Sequence, residues 1–480
     1  MTRTRRTLVH TLIYMAGLIA NRGIAFLLIP FYTRVLNPET FAKLDLTTIT
    51  VIILIPIFEL AMGSALVRFY HFAETEHSRQ KVVSTSFTFV LLSVLFSSIV
   101  MLILKDWISL LIYGDSDFGN LIFLITITVG VTVIGNQVLS LLRAQEKSIS
   151  FALLNLIRAT VSPAFIIVLV VQFEMGLVGV LLGDFIGLFV MLVFGFLISK
   201  KWMCFELDYN TLKSLIAFSL PLVPWALMTS IITLSDRYFL RAWVGYEDLA
   251  VYSLGFKIGM IMTLFTRAFQ NAWPASAYQI AKEDDAEKSL NEIFKIVTKL
   301  SLFLAFLLSV SSPILIKYII NDSFYEKSYI YVPLVSVSYA VYLTILFVLT
   351  SIMVSNKTNI ILLIITLSCI LKILLNVVLI AYFDAVGAAI ATLVASIFEL
   401  YLSILIVRKV CFIDYSFWGY LLNIFMFLVG VYFVFLISFD AILFQSVLLI
   451  LSVFMYFMFL RLDKYLEPVL GMLNFKVVKK

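Results

Sequence analysis

The sequence predicts an all-α polytopic membrane protein, with about 14 transmembrane helices forming two parallel six-helix lobes around a central cavity, plus two C-terminal helices. Three observations lead to this prediction. The chain of 480 residues is 62% hydrophobic and only 13% charged, and its mean hydropathy is +1.06. Its apolar runs are about 20 residues long, the length that a helix needs to cross about 30 Å of hydrocarbon. The two halves of the chain also share a sequence pattern.

The spans follow one another with short connections, so the sequence provides no folded domain outside the membrane. The first run follows three arginines, as in a signal peptide, but it continues past Arg22 to Tyr32 and therefore predicts an uncleaved helix. A short interfacial helix is predicted from Trp107 to Tyr113. The fourteen predicted spans are 9–33, 44–67, 82–104, 121–142, 148–172, 175–199, 212–234, 248–277, 293–318, 328–354, 358–381, 384–407, 415–437 and 440–461.

The distribution of basic residues predicts the orientation of the chain. With these spans, 23 of the 35 lysines and arginines lie on the side of the N-terminus, seven lie on the opposite side and five lie inside spans. Cytoplasmic loops carry the excess of positive charge, so both termini are predicted to be cytoplasmic and the protein to lie in the cell inner membrane. The net charge of +6 is explained by this asymmetry rather than by nucleic-acid binding.

An internal repeat supports the two lobes. Phe173-Glu174 aligns with Phe383-Asp384 at an offset of 210, and Ala42 aligns with Ala250 at an offset of 208. Because each copy holds an even number of spans, the copies run parallel, an arrangement found among transporters. The predicted lobes are 1–206 and 207–410, and 411–480 adds two helices and a basic cytoplasmic tail.

Sequence motifs of enzymes are absent. The chain has no phosphate-binding P-loop for ATP, no H-E-x-x-H for zinc and no nucleophile elbow. Its three histidines lie near predicted cytoplasmic ends, and its three cysteines are too scattered for a metal site or a disulfide framework. We therefore expect no catalysis, no metal and no cofactor.

Charged residues inside the spans are the most informative feature of the sequence. Arg158 and Asp184 lie at similar predicted depths on neighbouring spans and are expected to form a structural ion pair. At least two of the cations inside the spans lack a carboxylate partner and suggest an anionic ligand such as phosphate. The predicted buried cations are Arg22, Arg158, Lys257, Arg267 and Lys372, and the predicted buried carboxylates are Glu59, Asp184 and Glu399. The alternative is that Arg22 and Lys372 extend toward water or bond to backbone carbonyls. The candidate substrate-binding residues are Arg22, Lys257, Lys372, Gln270 and Asn271.

Two further sets of charges have predicted roles. At the offset of 208, Glu59 of the second span corresponds to Arg267 of the eighth, so the two are predicted to form a cytoplasmic gate. A second set is expected at the outer rim, where charges are normally solvated, and comprises Arg34, Asp236, Arg237 and Arg241.

The chain resembles the Wzx-type O-antigen and repeat-unit flippases of the multidrug/oligosaccharidyl-lipid/polysaccharide exporter superfamily. The likeness rests on P-F-Y-T-R-V-L-N-P-E-T-F-A from Pro30 to Ala42, and on S-D-R-Y-F-L-R-A-W-V-G-Y-E-D-L-A-V-Y-S from Ser235 to Ser253. It implies a flippase for a polyprenyl-pyrophosphate-linked oligosaccharide, moved from the inner to the outer leaflet of the lipid bilayer by alternating access. It also implies polysaccharide-assembly proteins as candidate contacts.

Two alternatives remain open at the level of sequence. A cation-coupled multidrug exporter of the same superfamily would favour buried carboxylates over buried cations and usually has twelve spans. A membrane scaffold without transport activity would need neither the duplication nor the excess of buried cations.

Overall fold

A computed structural model describes residues 23–24, 26–202, 204, 206–280, 285–355, 359–411 and 413–436. The predicted all-helical membrane fold is confirmed, since the elements of this part are helices. Nine of them are long and apolar enough to cross a membrane, or ten if one bent pair counts as one span. The last predicted span, 440–461, and most of the first, 9–33, lie outside the described residues. The helices are α1 Ile29–Val35, α2 Pro38–Glu59, α3 Met62–Phe72, α4 Glu76–Ile103, α5 Lys105–Tyr113, α6 Gly119–Ala144, α7 Ser148–Ile167, α8 Gly176–Ser199, α9 Tyr209–Ser219, α10 Leu222–Leu234, α11 Asp236–Trp243, α12 Tyr246–Gly259, α13 Met262–Ile280, α14 Ala286–Leu315, α15 Tyr331–Val354, α16 Asn359–Cys411 and α17 Phe417–Leu436.

By their internal contacts the residues fall into two compact units, Met1–Ala250 and Val251–Lys480. This boundary lies after the predicted lobe boundary at 206/207, because α9 packs on α3 and α4, and α10 packs on α2. The lobes defined by the repeat therefore stay a prediction. The core of the first unit joins α3, α4, α6, α7 and α8 through buried side chains that include Leu66, Phe87, Leu141, Leu154 and Leu188.

Three predicted spans are broken helices. In span 44–67, Leu60 and Ala61 adopt positive φ angles of 49° and 53° and separate α2 from α3. In span 248–277, α12 and the first part of α13 meet at a bend of 43°. Span 212–234 divides into α9 and α10 near Pro221, whose ring removes a helical N–H donor.

The breaks differ between the two halves of the repeat. The helices α2 and α12 begin at Pro38 and Tyr246, which are 208 residues apart, as in the repeat. However, α2 has 22 residues before its break and α12 has 14. The difference of eight residues corresponds to about 12 Å along a helix. Equivalent spans of the two halves thus break at different distances from their first residues.

One turn matches the repeat closely. Glu174 lies between α7 and α8 with a φ of 51°, and Asp384 interrupts α16 with a φ of 49°. These residues are the pair that the sequence aligns at an offset of 210. A left-handed conformation is uncommon for residues other than glycine, so its recurrence supports the alignment.

Small residues let the helices on either side of these turns approach closely. A Cβ atom on Gly183 of α8 would lie 2.6 Å from the backbone nitrogen of Ile166, and one on Gly187 would lie 2.8 Å from that of Ser162. At an offset of 208, Ala391 and Ala395 take these places in α16, and both are fully buried. Small residues four apart are typical of tightly packed membrane helices.

Candidate functional site

Three buried charges meet in the first unit. Arg237 is 2% exposed and its Nη1 lies 2.6 Å from Oδ1 of Asp236, while its Nε lies 3.6 Å from Oδ2 of Asp45. The guanidinium also donates to the carbonyl oxygen of Thr233 at 3.0 Å. The expectation that Asp236 and Arg237 are solvated at a rim is therefore wrong. Their charges are buried because each supplies the other with a partner of opposite sign.

Arg241 stabilises the end of a neighbouring helix. Its Nε donates to the carbonyl oxygen of Ile112 at 3.0 Å, and its Nη2 donates to those of Leu110 and Leu111. The hydroxyl of Tyr246 donates to the carbonyl oxygen of Tyr113 at 2.6 Å. These carbonyls form the C-terminus of α5, where the helix dipole favours a cation. The short helix predicted at 107–113 is therefore present as α5. Arg34, the remaining residue predicted for the outer rim, is exposed on α1.

Glu59 lies at the break between α2 and α3. Its Oε1 accepts a hydrogen bond of 3.3 Å from the backbone N–H of Gly63, in the first turn of α3. The Asn136 side chain on α6 also hydrogen-bonds the carboxylate, and Arg143 is close enough to interact with it electrostatically. These contacts hold the Glu59 side chain between the first turn of α3 and α6.

Arg158 and Asp184 join α7 to α8. Arg158 Nη2 lies 3.4 Å from Asp184 Oδ1, and the hydroxyl of Ser162 donates to the same oxygen at 3.0 Å. The two side chains are only partly buried, with exposed fractions of 28% and 38%. The sequence therefore placed the right partners together, and the structural role of the pair stays a prediction.

In the second unit, Lys257, predicted to bind the ligand, and Arg267, predicted to form the gate, have different surroundings. Lys257 on α12 is half-buried. Arg267 on α13 is exposed and its Nη1 donates to Oε1 of Gln270 at 3.1 Å, as expected for residues three apart on one face. Asn271 lies on the same helix, but its side chain is outside what the structure describes. Arg22 is also outside the described residues.

Lys372 is a buried cation with hydrogen-bonding partners inside the protein. Its side chain is fully buried within the second unit, and its Nζ donates to Thr392 Oγ1 at 2.5 Å and to the carbonyl oxygen of Ala388 at 3.4 Å. These contacts tie together the two arms of α16, 359–383 and 385–411. The bond to a backbone carbonyl, the alternative left open by the sequence, is formed here, and the role of Lys372 in binding a substrate stays a prediction.

The surroundings of Glu399 differ from those of the carboxylates in the first unit. It lies on the second arm of α16 and is 5% exposed. Among the residues that the structure describes, no hydrogen bond or ion pair reaches its side chain. The Tyr342 phenol on α15 lies within electrostatic range of Glu399 and of Arg267.

The count of buried charges changes with these observations. Among the described residues, the charged side chains that are buried are two cations, Arg237 and Lys372, and three carboxylates, Asp45, Asp236 and Glu399. The excess of cations that the sequence predicted inside the spans is therefore not found there, because Arg267 is exposed and Lys257 and Arg158 are only partly buried. The sequence did not reveal three partners of these charges. Asp45 and Arg143 were placed at the ends of predicted spans, and Asn136 was not considered. The sequence signal that could have identified the cluster of Asp45, Asp236 and Arg237 is the adjacent Asp236-Arg237 pair, since opposite charges in an apolar stretch often pair with each other. The gate of Glu59 and Arg267 stays a prediction.

Comparison with solved structures shows which fold this is. A lipid II flippase MurJ, in an inward closed conformation, matches with a TM-score of 0.64 and 16% identity, over 96% of this chain and 100% of that chain. A MATE family multidrug resistance transporter of the MOP superfamily, in an inward-facing conformation, matches with a TM-score of 0.66 and 14% identity, over 83% and 95%. A MOP superfamily transporter from Pyrococcus furiosus matches with a TM-score of 0.60 and 14% identity, over 84% and 96%. At these identities the likeness establishes the fold.

Comparison of sequences identifies the family. A search of curated proteins finds no match. Residues 8–277, more than half of the chain, match the family described as "Polysaccharide biosynthesis protein". This match agrees with the resemblance carried by the segments that begin at Pro30 and Ser235, both of which lie inside it. The chain belongs to the polysaccharide biosynthesis protein family.

Proposed function

We propose that this protein is a flippase that carries a polyprenyl-pyrophosphate-linked oligosaccharide from the inner to the outer leaflet of the cytoplasmic membrane by alternating access. The observation that carries the proposal is the family match over residues 8–277. The MurJ fold, shared over 96% of the chain, supports it because that neighbour is a lipid II flippase. The glycan would be one repeat unit of a surface polysaccharide such as O-antigen.

The cations of the broken helix in the second unit suit the pyrophosphate. Lys257 precedes the bend between α12 and α13, and Arg267 follows it. The side chain of Lys257 is half-buried and that of Arg267 is exposed. Arginine binds phosphate oxygens through two parallel hydrogen bonds, and lysine adds a compact charge. Gln270 already contacts Arg267 and would orient its guanidinium. Arg22, Asn271 and Lys372 remain proposed ligands.

The membrane potential would contribute to the direction of transport. Moving a net anion out of a negative interior is favourable by about 2.3 kcal/mol per charge for about 100 mV. In this proposal both termini lie in the cytoplasm, and the proteins that polymerise or export the glycan are candidate contacts. Flipping in vesicles that is indifferent to an imposed potential of either sign would remove this part of the proposal.

The test is a flipping assay with the purified full-length protein in vesicles and a fluorescent polyprenyl-pyrophosphate oligosaccharide. We expect Lys257→Ala and Arg22→Ala to lower the rate about 10-fold each, the effect of losing one charged hydrogen bond to the substrate. Lys288→Ala is the matched control, since this lysine lies in the same unit and is exposed near the start of α14. Wild-type protein that moves no labelled lipid would overturn the function, and near-normal rates in both variants would overturn the cationic site.

A further inference from the structure

The second arm of α16 carries a buried polar stripe that the proposed function does not use. Its members are Thr392, Ser396, Glu399 and Ser403, at spacings of four, three and four, so they share one helix face. Each of the four is at most 8% exposed. Glu399 is the only acidic member, and it lies two turns beyond the contact between Lys372 and Thr392.

The hydroxyl groups of the stripe do not stabilise a charge on Glu399. Thr392, Ser396 and Ser403 donate to the carbonyl oxygens four residues before them, at 2.9, 2.8 and 2.7 Å. Their protons are therefore directed to the backbone of the same helix. A buried carboxylate without donors or a cation is very unfavourable, and such a group takes up a proton instead.

Within the part of the chain that the structure describes, few ionisable groups act near Glu399. Tyr342 on α15 is within electrostatic range of it, and Arg267 on α13 acts on the same phenol. Lys372 on the first arm is bonded to Thr392, at the far end of the stripe. Within the described residues, no three His, Cys, Asp or Glu side chains come together to hold a metal ion. A proton is therefore the ligand that this single carboxyl group suits.

We infer that Glu399 is a proton-binding site of the second unit, and that release and uptake of this proton accompany the transport cycle. The side chain is protonated in the state described here. It loses the proton when the surroundings of the stripe become hydrated or a cation approaches, and it regains the proton on return. Buried acidic residues in membrane helices commonly serve as proton relays. The second half of this inference rests on the proposed function, and the first half does not.

The binding of the proton can be measured without any glycan. Infrared spectra of the purified full-length protein in vesicles would be recorded across a pH titration, following the carbonyl band of protonated carboxyl groups. We expect a band that persists at neutral pH in the wild type and is lost in Glu399→Gln. Ser403→Ala, on the same stripe, should keep it, and Glu399→Asp should keep it but shift the pH at which it disappears. Absence of the band in the wild type, or its presence in Glu399→Gln, would overturn the inference.

The role in transport is tested by flipping under a pH gradient. A gradient imposed across the vesicles should change the wild-type rate, and Glu399→Gln should lose that dependence while Ser403→Ala retains it. A wild-type rate that is insensitive to gradients of either sign would overturn the transport role. Wild-type vesicles that show the infrared band but flip no lipid would instead overturn the proposed function and leave the proton site in place.

Discussion

Carboxylates in the two units have contrasting partners. In the first unit, Asp236 and Asp45 flank the guanidinium of Arg237, and Glu59 accepts hydrogen bonds from Gly63 and Asn136 near Arg143. In the second unit, Glu399 lies against a helix face whose hydroxyl groups all donate to the backbone. The first unit thus satisfies its buried anions, while the second holds one for which the described residues provide no donor.

This difference distinguishes carboxylates that stabilise the fold from a carboxyl group that can exchange a proton. A carboxylate held by a cation or by a helix N-terminus keeps its charge, and its removal mainly weakens the fold. A carboxylate without such a partner changes its charge easily when its surroundings change. The contrast therefore assigns the first set to stability and Glu399 to exchange, and this assignment can be tested by substitution.

The largest expected effect comes from Arg237→Met. Removing the guanidinium leaves Asp45 and Asp236 buried without it, and breaking a buried ion pair in this way costs about 3–5 kcal/mol. The free energy of unfolding in detergent micelles measures the loss. Arg408→Met is the matched control, because Arg408 lies 3.6 Å from Asp414, the same separation as Arg237 from Asp45, but both side chains are mostly exposed. A loss no larger than that of the control would refute the structural role of the buried cluster.

The next effect concerns a fourth carboxylate of the first unit, Asp184. Gly183→Ala would place a Cβ atom 2.6 Å from the backbone of Ile166, which cannot rotate away. We expect a loss of about 1–3 kcal/mol in the free energy of unfolding, as for overpacked cores, together with separation of Arg158 from Asp184. The matched change in the other half is Ala391→Gly, which removes a methyl group and should cost about 1 kcal/mol or less. Equal losses for the two substitutions would show that the contact between α7 and α8 at Gly183 is not tight enough to exclude a methyl group.

Sequence alone predicted the fold class and most helices because membrane spans follow directly from the length and composition of apolar runs. It also predicted the pairing of Arg158 with Asp184 and the alignment of Glu174 with Asp384, at which the structure places equivalent turns. It did not predict the break at Leu60 and Ala61, since neither residue is a helix breaker. At that break the carboxylate of Glu59 accepts a hydrogen bond from Gly63 at the start of the next helix, a contact that the sequence does not reveal.

The candidate site was harder to predict than the fold. Depth along a helix can be read from sequence, but the face that a side chain occupies depends on packing. Lys372 and Glu399 were both recognised as buried charges, yet one donates to Thr392 and the other meets no donor among the described residues. Arg237 was assigned to a solvated rim because it lies at a span end, and the contribution of Asp45 from another helix could not be seen in the sequence.

A smaller effect compares Glu59→Gln with Glu399→Gln. Each substitution replaces a carboxyl group with an amide of the same shape. Glu59→Gln removes a negative charge from the N-terminus of α3 and from Arg143, so it should lower the free energy of unfolding by about 1 kcal/mol at neutral pH. Glu399→Gln should have little effect on stability, because a neutral amide replaces a protonated acid. If both substitutions were equally destabilising, the two carboxylates would have the same charge state and the contrast between the units would fail.

The smallest effect is expected at Asp208, which has a cationic partner but lies in water. Its Oδ1 is 2.8 Å from Nζ of Lys81, and this bond, followed by those from Thr211, lowers the pKa of Asp208 to about 2. Because the pKa is depressed in the folded protein, the pair stabilises the fold fully above the unfolded pKa of about 3.9, and the contribution disappears as the pH falls toward about 2. Solvent screens exposed pairs, so Asp208→Asn should change stability far less than Arg237→Met although the ion-pair distances, 2.8 and 2.6 Å, are similar. Unfolding of the variant and the wild type should converge as the pH is lowered through this range, and a difference that grows on acidification would contradict the depressed pKa. Burial, rather than the distance between the charges, would then be established as the variable that separates the strong pairs of the first unit from the weak ones.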